Sequence, residues 1–141
     1  MAFCAGTGAL VFLDLVAQLL IKNCFDSETQ KGGPLDDLNY YRHDFSFHLY
    51  ASFADRDTAI GLDLIEACEK VKEKLGRVNF KATVRLSKTD EGAPKLPRWT
   101  PAYIQEELTP LAGKMKRVWV CGPPAVNELF DRTLNDLKDK L

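Results

Sequence analysis

Two short motifs carry the residue types that a phosphate or cofactor site needs. The first, Ala5-Gly6-Thr7-Gly8, follows an apolar run and precedes an apolar helical pattern. Glycines in a strand-to-helix turn let phosphate groups approach the backbone and the positive end of a helix. The third glycine of the dinucleotide-binding pattern is missing, because position 11 is Val. Taken alone, the motif is equally compatible with a tight turn that binds nothing.

The second motif, Cys121-Gly122-Pro123-Pro124, follows an apolar run that ends at the cysteine. Its glycine and prolines predict a sharp, rigid turn. A thiol that faces a helix N-terminus can be activated as a nucleophile. No histidine is close in sequence to act as its base, and the phosphatase spacing would need an arginine where Asn127 stands. A buried, unreactive cysteine is the favoured interpretation, and the nucleophile is the alternative.

Alternating strands and helices are needed to position these motifs. Residue patterns predict strands at 1–5, 45–53, 80–86 and 117–121, and helices at 9–23, 58–75, 101–108 and 124–141. This order predicts an α/β fold, a Rossmann-like three-layer α/β/α domain with a mainly parallel sheet of four to five strands. In such sheets ligands bind beyond the carboxyl ends of the strands, where the strand order reverses. Both motifs directly follow a predicted strand.

The composition fits one globular domain over residues 1–141. The chain is 45% hydrophobic with a formal net charge of −1, which argues against nonspecific nucleic-acid binding. Polar, glycine and proline residues dominate the segment 24–44, which we interpret as a loop insertion. The four cysteines have neither metal-ligand nor disulfide spacing, and His43 and His48 add no ligand set. No metal is therefore expected.

No segment is predicted to enter a membrane or to direct secretion. The apolar stretch 9–21 is interrupted by Asp14 and Gln18. It is also shorter than the roughly 20 residues that a membrane span needs. No basic segment precedes it, as a secretory signal would require. We therefore expect a cytoplasmic location, or the cytosolic face of a membrane if the native chain is longer.

Five segments follow one another along the chain in a characteristic order: AGTG, FHLYASFADRDTA, FKATVRLSK, YIQEEL and VWVCGPPAV. In order and spacing they resemble the nucleotide-binding half of the ferredoxin–NADP reductase superfamily. Cytochrome b5 reductases and the cytosolic parts of ferric reductases and NADPH oxidases belong to that group. The resemblance covers nearly the whole chain outside 24–44. It implies that NAD(P)H binds across the strand ends and passes a hydride from its nicotinamide to a flavin.

The resemblance also implies roles for the residues of both motifs. Gly6, Thr7 and Gly8 would contact the pyrophosphate and the nicotinamide side of the cofactor. The second motif would shape the nicotinamide pocket and place the reactive carbon against the flavin ring. Its members are Cys121, Gly122, Pro123 and Pro124.

Two further segments correspond to the adenosine end of the cofactor. Phe53 and Asp55 match the turn near the ribose and adenine, and Ser87-Lys88 matches the place where NADPH-preferring members carry Ser-Arg. The Ser87 hydroxyl and the Lys88 charge would favour the 2′-phosphate of NADPH. A carboxylate at Asp55 would favour the 2′-hydroxyl of NADH. Lys88 is alternatively an ordinary solvated charge, so both cofactors stay open.

The sequence departs from the family in three ways. Val11 replaces the usual proline, the flavin-binding half is absent, and the final strand with its terminal aromatic residue is missing after Leu141. We interpret the chain as the NAD(P)H-binding domain of a flavin-dependent oxidoreductase, an enzyme fragment with little activity alone. FAD would be held by a missing domain, and the electron acceptor stays unknown. The alternative is a degenerate nucleotide-binding-fold module that uses the 24–44 loop for protein contacts.

Overall fold

The computed structural model describes residues 1–25, 46–76, 79–88 and 99–138. Within these ranges four strands alternate with four α-helices. In chain order the elements are β1 (Ala2–Ala5), α1 (Leu10–Phe25), β2 (Phe47–Phe53), α2 (Leu62–Lys74), β3 (Phe80–Leu86), α3 (Pro101–Leu108), β4 (Trp119–Cys121) and α4 (Pro124–Leu137). Short 3-10 turns, Gly6–Ala9 and Thr109–Leu111, precede α1 and follow α3.

The strands form one parallel sheet in the order β3-β2-β1-β4. The chain moves outward from β1 to β2 and β3, and then crosses back to place β4 on the other side of β1. The strand order therefore reverses at β1. Because the strands are parallel, their carboxyl ends lie at one edge of the sheet, here called the carboxyl edge. The predicted α/β fold with a parallel sheet is confirmed.

Helices α1 and α2 cover one face of this sheet. Their buried residues recur at helical spacing and meet the alternate strand residues that point to the same side. The buried set comprises Phe12, Val16, Leu19, Ile65 and Cys68 from the helices, and Ala2, Cys4, Phe47, Leu49, Ala51, Phe53 and Phe80 from the strands. The small residues of β1 lie beneath α1, whereas aromatic rings occupy the ends of β2.

Helices α3 and α4 cover the opposite face. The ring of Phe3 stacks on Tyr50 with centroids 4.5 Å apart, and Phe130 of α4 lies 4.7 Å from Phe3. Ile104, Leu108 and Leu137 complete this second core. The hydroxyl of Tyr50 donates to the carboxylate of Glu107 in α3 at 2.5 Å, which satisfies a phenol inside an apolar layer. The second helical layer confirms the predicted α/β/α arrangement.

The start of α2 differs from the predicted helix over 58–75. The side chain of Asp55 accepts hydrogen bonds from the backbone N–H and the hydroxyl of Thr58, so residues 55–58 form a closed turn. The chain then reaches Gly61 with φ of 74°, a left-handed conformation that favours glycine. Regular helix begins only at Leu62. Local turn chemistry, not helical spacing, sets this boundary.

Other boundaries lie close to the predictions. Strand β3 and helix α3 have the predicted limits, and the backbone N–H of Tyr103 donates to the hydroxyl of Thr100, which caps α3. Strand β4 begins two residues later than predicted, at Trp119. Helix α4 ends at Leu137, and residues 139–141 lie outside the described part of the chain. The predicted loop 24–44 begins later than expected, because Cys24 and Phe25 belong to α1.

Candidate functional site

The two motifs meet at the carboxyl edge, at the point where the strand order reverses. Cys4 of β1 pairs in register with Cys121 of β4. The turn Gly6–Ala9 leaves β1 toward α1, and Gly122 and Pro123 leave β4 toward α4. Parallel α/β sheets bind ligands in the crevice between two such turns. We call this region the β1–β4 corner.

Gly8 makes the closest backbone approach in this corner. A Cβ built on Gly8 would lie 2.2 Å from the carbonyl oxygen and 2.7 Å from the carbonyl carbon of Cys121. Real Cβ atoms are not found at such distances from backbone atoms, so only glycine fits here. The absence of a side chain at position 8 lets the two turns touch.

Gly6 has a different role in the same turn. Its φ of 55° requires a left-handed conformation, and a Cβ built on it would meet no atom within 4 Å. The space beside Gly6 is therefore open. Thr7, the next residue, is exposed, and α1 begins only three residues later at Leu10. Backbone N–H groups of this turn and the positive end of α1 are suited to an anion in that space.

The prolines and Asn127 fix the second turn. Pro124 is the first residue of α4, where its missing N–H leaves no hydrogen bond unmade. The amide of Asn127 donates to the carbonyl oxygen of Gly122 at 3.0 Å, which ties the turn to the first part of the helix. From the sequence, Asn127 is notable only because a phosphatase motif would place an arginine there. An amide shortly after a Gly-Pro turn is the signal that could have identified this positioning role.

The side chain of Cys121 points into the α1–α2 layer. It is partly buried and packs against the core that contains Cys4. Burial, with a smaller contribution from Cys121, raises the pKa of the Cys4 thiol to about 12. His48 stacks on Tyr50, whose ring belongs to the α3–α4 layer, and is therefore remote from the Cys121 side chain. His43 lies outside the described residues. The geometry supports packing, not nucleophilic catalysis, for Cys121.

The ends of β2 and β3 bring the other candidate residues together. The N–H groups of Ser87 and Lys88 donate to the carbonyl oxygens of Phe53 and Ala54, at 2.9 and 2.6 Å. These bonds continue the strand ladder past the end of β3. We call residues 53–58 with 87 and 88 the β2–β3 tip. It lies at the same edge as the β1–β4 corner, because Ala5 pairs with Ser52 of the adjacent strand.

Phe53 contributes to the tip through its position and not through its side chain. Its ring is 3% exposed and packs in the α1–α2 core, and its carbonyl oxygen already accepts from Ser87. In this conformation the Phe53 ring is therefore not free to contact a ribose or adenine. Phe53 instead anchors the end of β2, which places Asp55 at the surface.

Asp55 joins the two strand ends electrostatically. One carboxylate oxygen accepts from Thr58, and the other lies 3.4 Å from the ammonium group of Lys88. The hydrogen bonds from the Thr58 hydroxyl and N–H, more than Lys88, hold the pKa of Asp55 below its usual value. Thr58 was not among the predicted site residues, although an Asp followed three residues later by Thr is a recognisable turn signal.

Some sequence hypotheses concern residues that lie outside the described ranges. Residues 26–45, most of the proposed docking loop, and residues 89–98 belong to this group. Within the described part of the chain, no three His, Cys, Asp or Glu side chains form a group able to hold a metal ion. Of the helices in those same ranges, none has both the length and the apolar character needed to cross a membrane.

Comparison of the chain with protein-family models and with curated proteins found no match. The fold and the position of the two turns place the chain in the class of Rossmann-like α/β domains. Its function is therefore inferred from the carboxyl edge itself.

Proposed function

We propose that the chain is the NAD(P)H-binding domain of a flavin-dependent oxidoreductase. The observation that carries this proposal is the β1–β4 corner. There Gly8 lies against the carbonyl group of Cys121, and open space remains beside Gly6. Open space alone does not distinguish this turn, because Gly113 has it as well; the close approach of Gly8 at the point where the strand order reverses does. The two features together are typical of a turn shaped around a phosphate group.

The dinucleotide would lie along the carboxyl edge, from the β1–β4 corner to the β2–β3 tip. The turn Gly6–Ala9 would bind the pyrophosphate through its N–H groups. The rigid Cys121–Pro124 turn would orient the nicotinamide, with Asn127 holding Gly122 in place. Ser87 and Lys88 would face the adenosine end.

The reduced nicotinamide supplies a hydride, and an FAD held by another domain would accept it. The chain's own contribution is to bind and orient the dinucleotide. The apolar surface near the corner, where Leu10 and Val11 are 51% and 63% exposed, leaves room for such a domain. We propose that this domain and a further electron acceptor are the protein's partners.

A glycine substitution tests the proposal directly. Gly6→Ala places a methyl group in the open space of the corner and costs about 1 kcal/mol of stability, because position 6 is left-handed. Isothermal titration calorimetry with NADH and with NADPH measures the effect. We expect saturable binding to the unmodified chain and at least a roughly tenfold loss of affinity in Gly6→Ala, since pyrophosphate contacts are charge-assisted hydrogen bonds.

Gly113→Ala is the matched control. Gly113 has φ of 73° and open space around it, so the substitution has a similar backbone cost, but it lies outside the candidate site. It should lower the melting temperature about as much as Gly6→Ala while leaving both dissociation constants unchanged. The proposal is wrong if neither nucleotide binds the folded chain with a dissociation constant below about 1 mM, the weak end of specific binding. Equal binding by both variants would remove the pyrophosphate assignment.

A further inference from the structure

The two edges of the sheet differ in charge. We call the edge where the strands begin the amino edge; α2 and α4 run opposite to the strands, so they end there too. At the carboxyl edge the exposed cations Arg56 and Lys88 each pair with a carboxylate, at 2.7 and 3.4 Å. The exposed cations of the amino edge have no ion pair within the described residues, and they are Lys74, Lys81, Lys114, Lys116, Arg117 and Lys138. In the last turns of α2 and α4 the exposed carboxylates are Glu73 and Asp136. Positive charge therefore predominates in the described part of the amino edge.

The segment 114–118, which leads into β4, holds the densest group of these cations. Met115 and Val118 pack in the α3–α4 core, whereas Lys114, Lys116 and Arg117 are exposed. The N–H groups of Lys114 and Met115 both donate to one carbonyl oxygen of the turn after α3, at 3.0 Å. The fold thus fixes the segment with its cations outward and close together. Their mutual repulsion is relieved by a negatively charged partner.

Large apolar side chains are exposed among the same cations. Trp119 follows the segment directly and is 38% exposed, and its ring meets Phe47 edge-on with centroids 6.3 Å apart. Leu75 follows Lys74 at the end of α2 and is 47% exposed. Tryptophan beside lysine and arginine is the combination that proteins present to the headgroup layer of a membrane.

The spread of the cations favours lipid over an acidic protein segment. They come from α2, β3, α4 and the segment before β4, so they extend across the whole amino edge. A surface of anionic lipids presents negative charge over a broad plane and attracts each lysine or arginine that comes near it. A single acidic peptide would reach the cations of only one or two of these elements.

We propose that the amino edge docks this domain on an anionic lipid surface. The lysines and arginine would contact the negative headgroups, and the exposed ring of Trp119 would lie at headgroup depth. The chain would lie on the membrane and not cross it. Because the two edges are opposite ends of the same strands, the carboxyl edge would face away from the lipid and remain open to a ligand.

Vesicle co-sedimentation tests the proposal. We expect the unmodified chain to bind vesicles that contain about 30% phosphatidylserine and not vesicles of phosphatidylcholine alone, and added salt to weaken the binding. The double variant Lys116→Gln/Arg117→Gln should bind roughly tenfold to thirtyfold more weakly, since each cation near an anionic surface contributes about a fivefold gain in affinity.

Arg56→Gln/Arg132→Gln is the matched control, because it removes the same charge from exposed sites away from the amino edge. It should change vesicle binding by less than about twofold, since salt screens charges at that distance. Equal losses in the two double variants would mean that net charge alone governs binding, and the docking surface would be wrong. Melting temperatures of all variants confirm that they fold.

Tryptophan fluorescence provides a second measurement on the same samples. The chain has two tryptophans, and Trp99 packs against the α3–α4 core. We expect a blue shift of the emission on anionic vesicles that Trp119→Phe abolishes. A shift that persists in Trp119→Phe would contradict the proposed orientation.

An acidic protein partner is the competing outcome, and poly-glutamate is its probe. If poly-glutamate bound the chain and anionic vesicles did not, the inference would be overturned. Absence of binding to either would overturn it as well.

Discussion

The β1–β4 and β2–β3 halves of the sheet are joined by different chemical groups. At the β1–β4 corner, backbone atoms make the decisive contacts: Gly8 lies against the carbonyl group of Cys121, and Gly122 lies near Ala5. At the β2–β3 half, side chains join the strands. His48 pairs with Thr83 at 2.9 Å between the two strands, and Asp55 pairs with Lys88 beyond their carboxyl ends.

This difference determines how each half responds to substitution. The corner requires that position 8 carry no Cβ, because the backbone of Cys121 occupies the space where a Cβ would lie. Any side chain there would push the turn after β1 away from the turn after β4. Side-chain pairs can be removed singly, and the ladder of main-chain hydrogen bonds between β2 and β3 remains. The corner should therefore be intolerant of change, and the β2–β3 half adjustable.

The largest effect should come from Gly8→Ala. Its new methyl group would overlap the Cys121 carbonyl at 2.2 Å, and the obstructing atoms are backbone and cannot rotate away. Overpacking of this severity costs about 3 kcal/mol, which for a chain of this size lowers the melting temperature by roughly 10 °C. Thermal unfolding followed by circular dichroism measures the loss.

Gly122→Ala provides the comparison within the same corner. A Cβ there would lie 3.2 Å from the methyl group of Ala5, a contact that small shifts can relieve. We expect a cost of about 1 kcal/mol or less. If the two variants were equally stable, the close approach of the two turns would not govern the corner, and the contrast with the β2–β3 half would be lost.

The sequence was sufficient to predict the fold but only part of the site. The apolar run at 80–86 predicted the limits of β3, and the residue pattern at 101–108 predicted the limits of α3, because both signals are local in sequence. The glycines at 6 and 8 were identified as a turn for the same reason. That Gly8 meets the carbonyl of Cys121 could not be predicted, because this contact exists only after β1 and β4 pair across most of the chain.

The direction in which a side chain points is harder to predict from the sequence than the limits of its strand. By resemblance, Phe53 matches the turn near the ribose and adenine, and strand alternation turns its ring into the core beside Ala51 and Leu49. The same alternation, applied to residues 47–53, would have revealed this. The pairing of Asp55 with Lys88 depends on the register between β2 and β3, which sequence spacing alone does not fix.

An intermediate effect is expected at His48, within the β2–β3 half. Burial, and then the positive charge of Lys81, lower the pKa of this histidine from 6.5 to about 4. Between these values the unfolded chain binds a proton that the folded chain does not. Stability from this group is therefore full above pH 6.5 and falls as the pH drops toward 4. A full shift of this size corresponds to about 3 kcal/mol. Because the ring is only partly buried and water screens its charge, the wild type should lose about 1–2 kcal/mol over this range.

His48→Gln should remove this dependence while keeping a hydrogen-bonding group near Thr83. Urea unfolding at several pH values between 8 and 4 gives the free energy of unfolding of both proteins. The difference between them should shrink steadily as the pH falls. Parallel profiles would mean that the histidine is protonated equally in both states, and that its stacking on Tyr50 does not shield it from water.

The smallest effect should be the contribution of Asp55 to stability, because the carboxylate is at the surface. Its pKa is lowered first by the Thr58 hydroxyl, then by the Thr58 N–H. A lowered carboxyl pKa stabilises the fold above the ordinary value of 3.8 and loses that effect as the pH falls through the folded value. The melting temperature of wild type should therefore slightly exceed that of Asp55→Asn at pH 7, and the difference between the two melting temperatures, here called the gap, should disappear in acid. Asp57→Asn, which removes a charge from the same turn but leaves both Thr58 hydrogen bonds to Asp55 in place, is the control. A gap that stayed constant into acid would mean that shape, not charge, holds the turn, and the β2–β3 tip would then resemble the backbone-built corner.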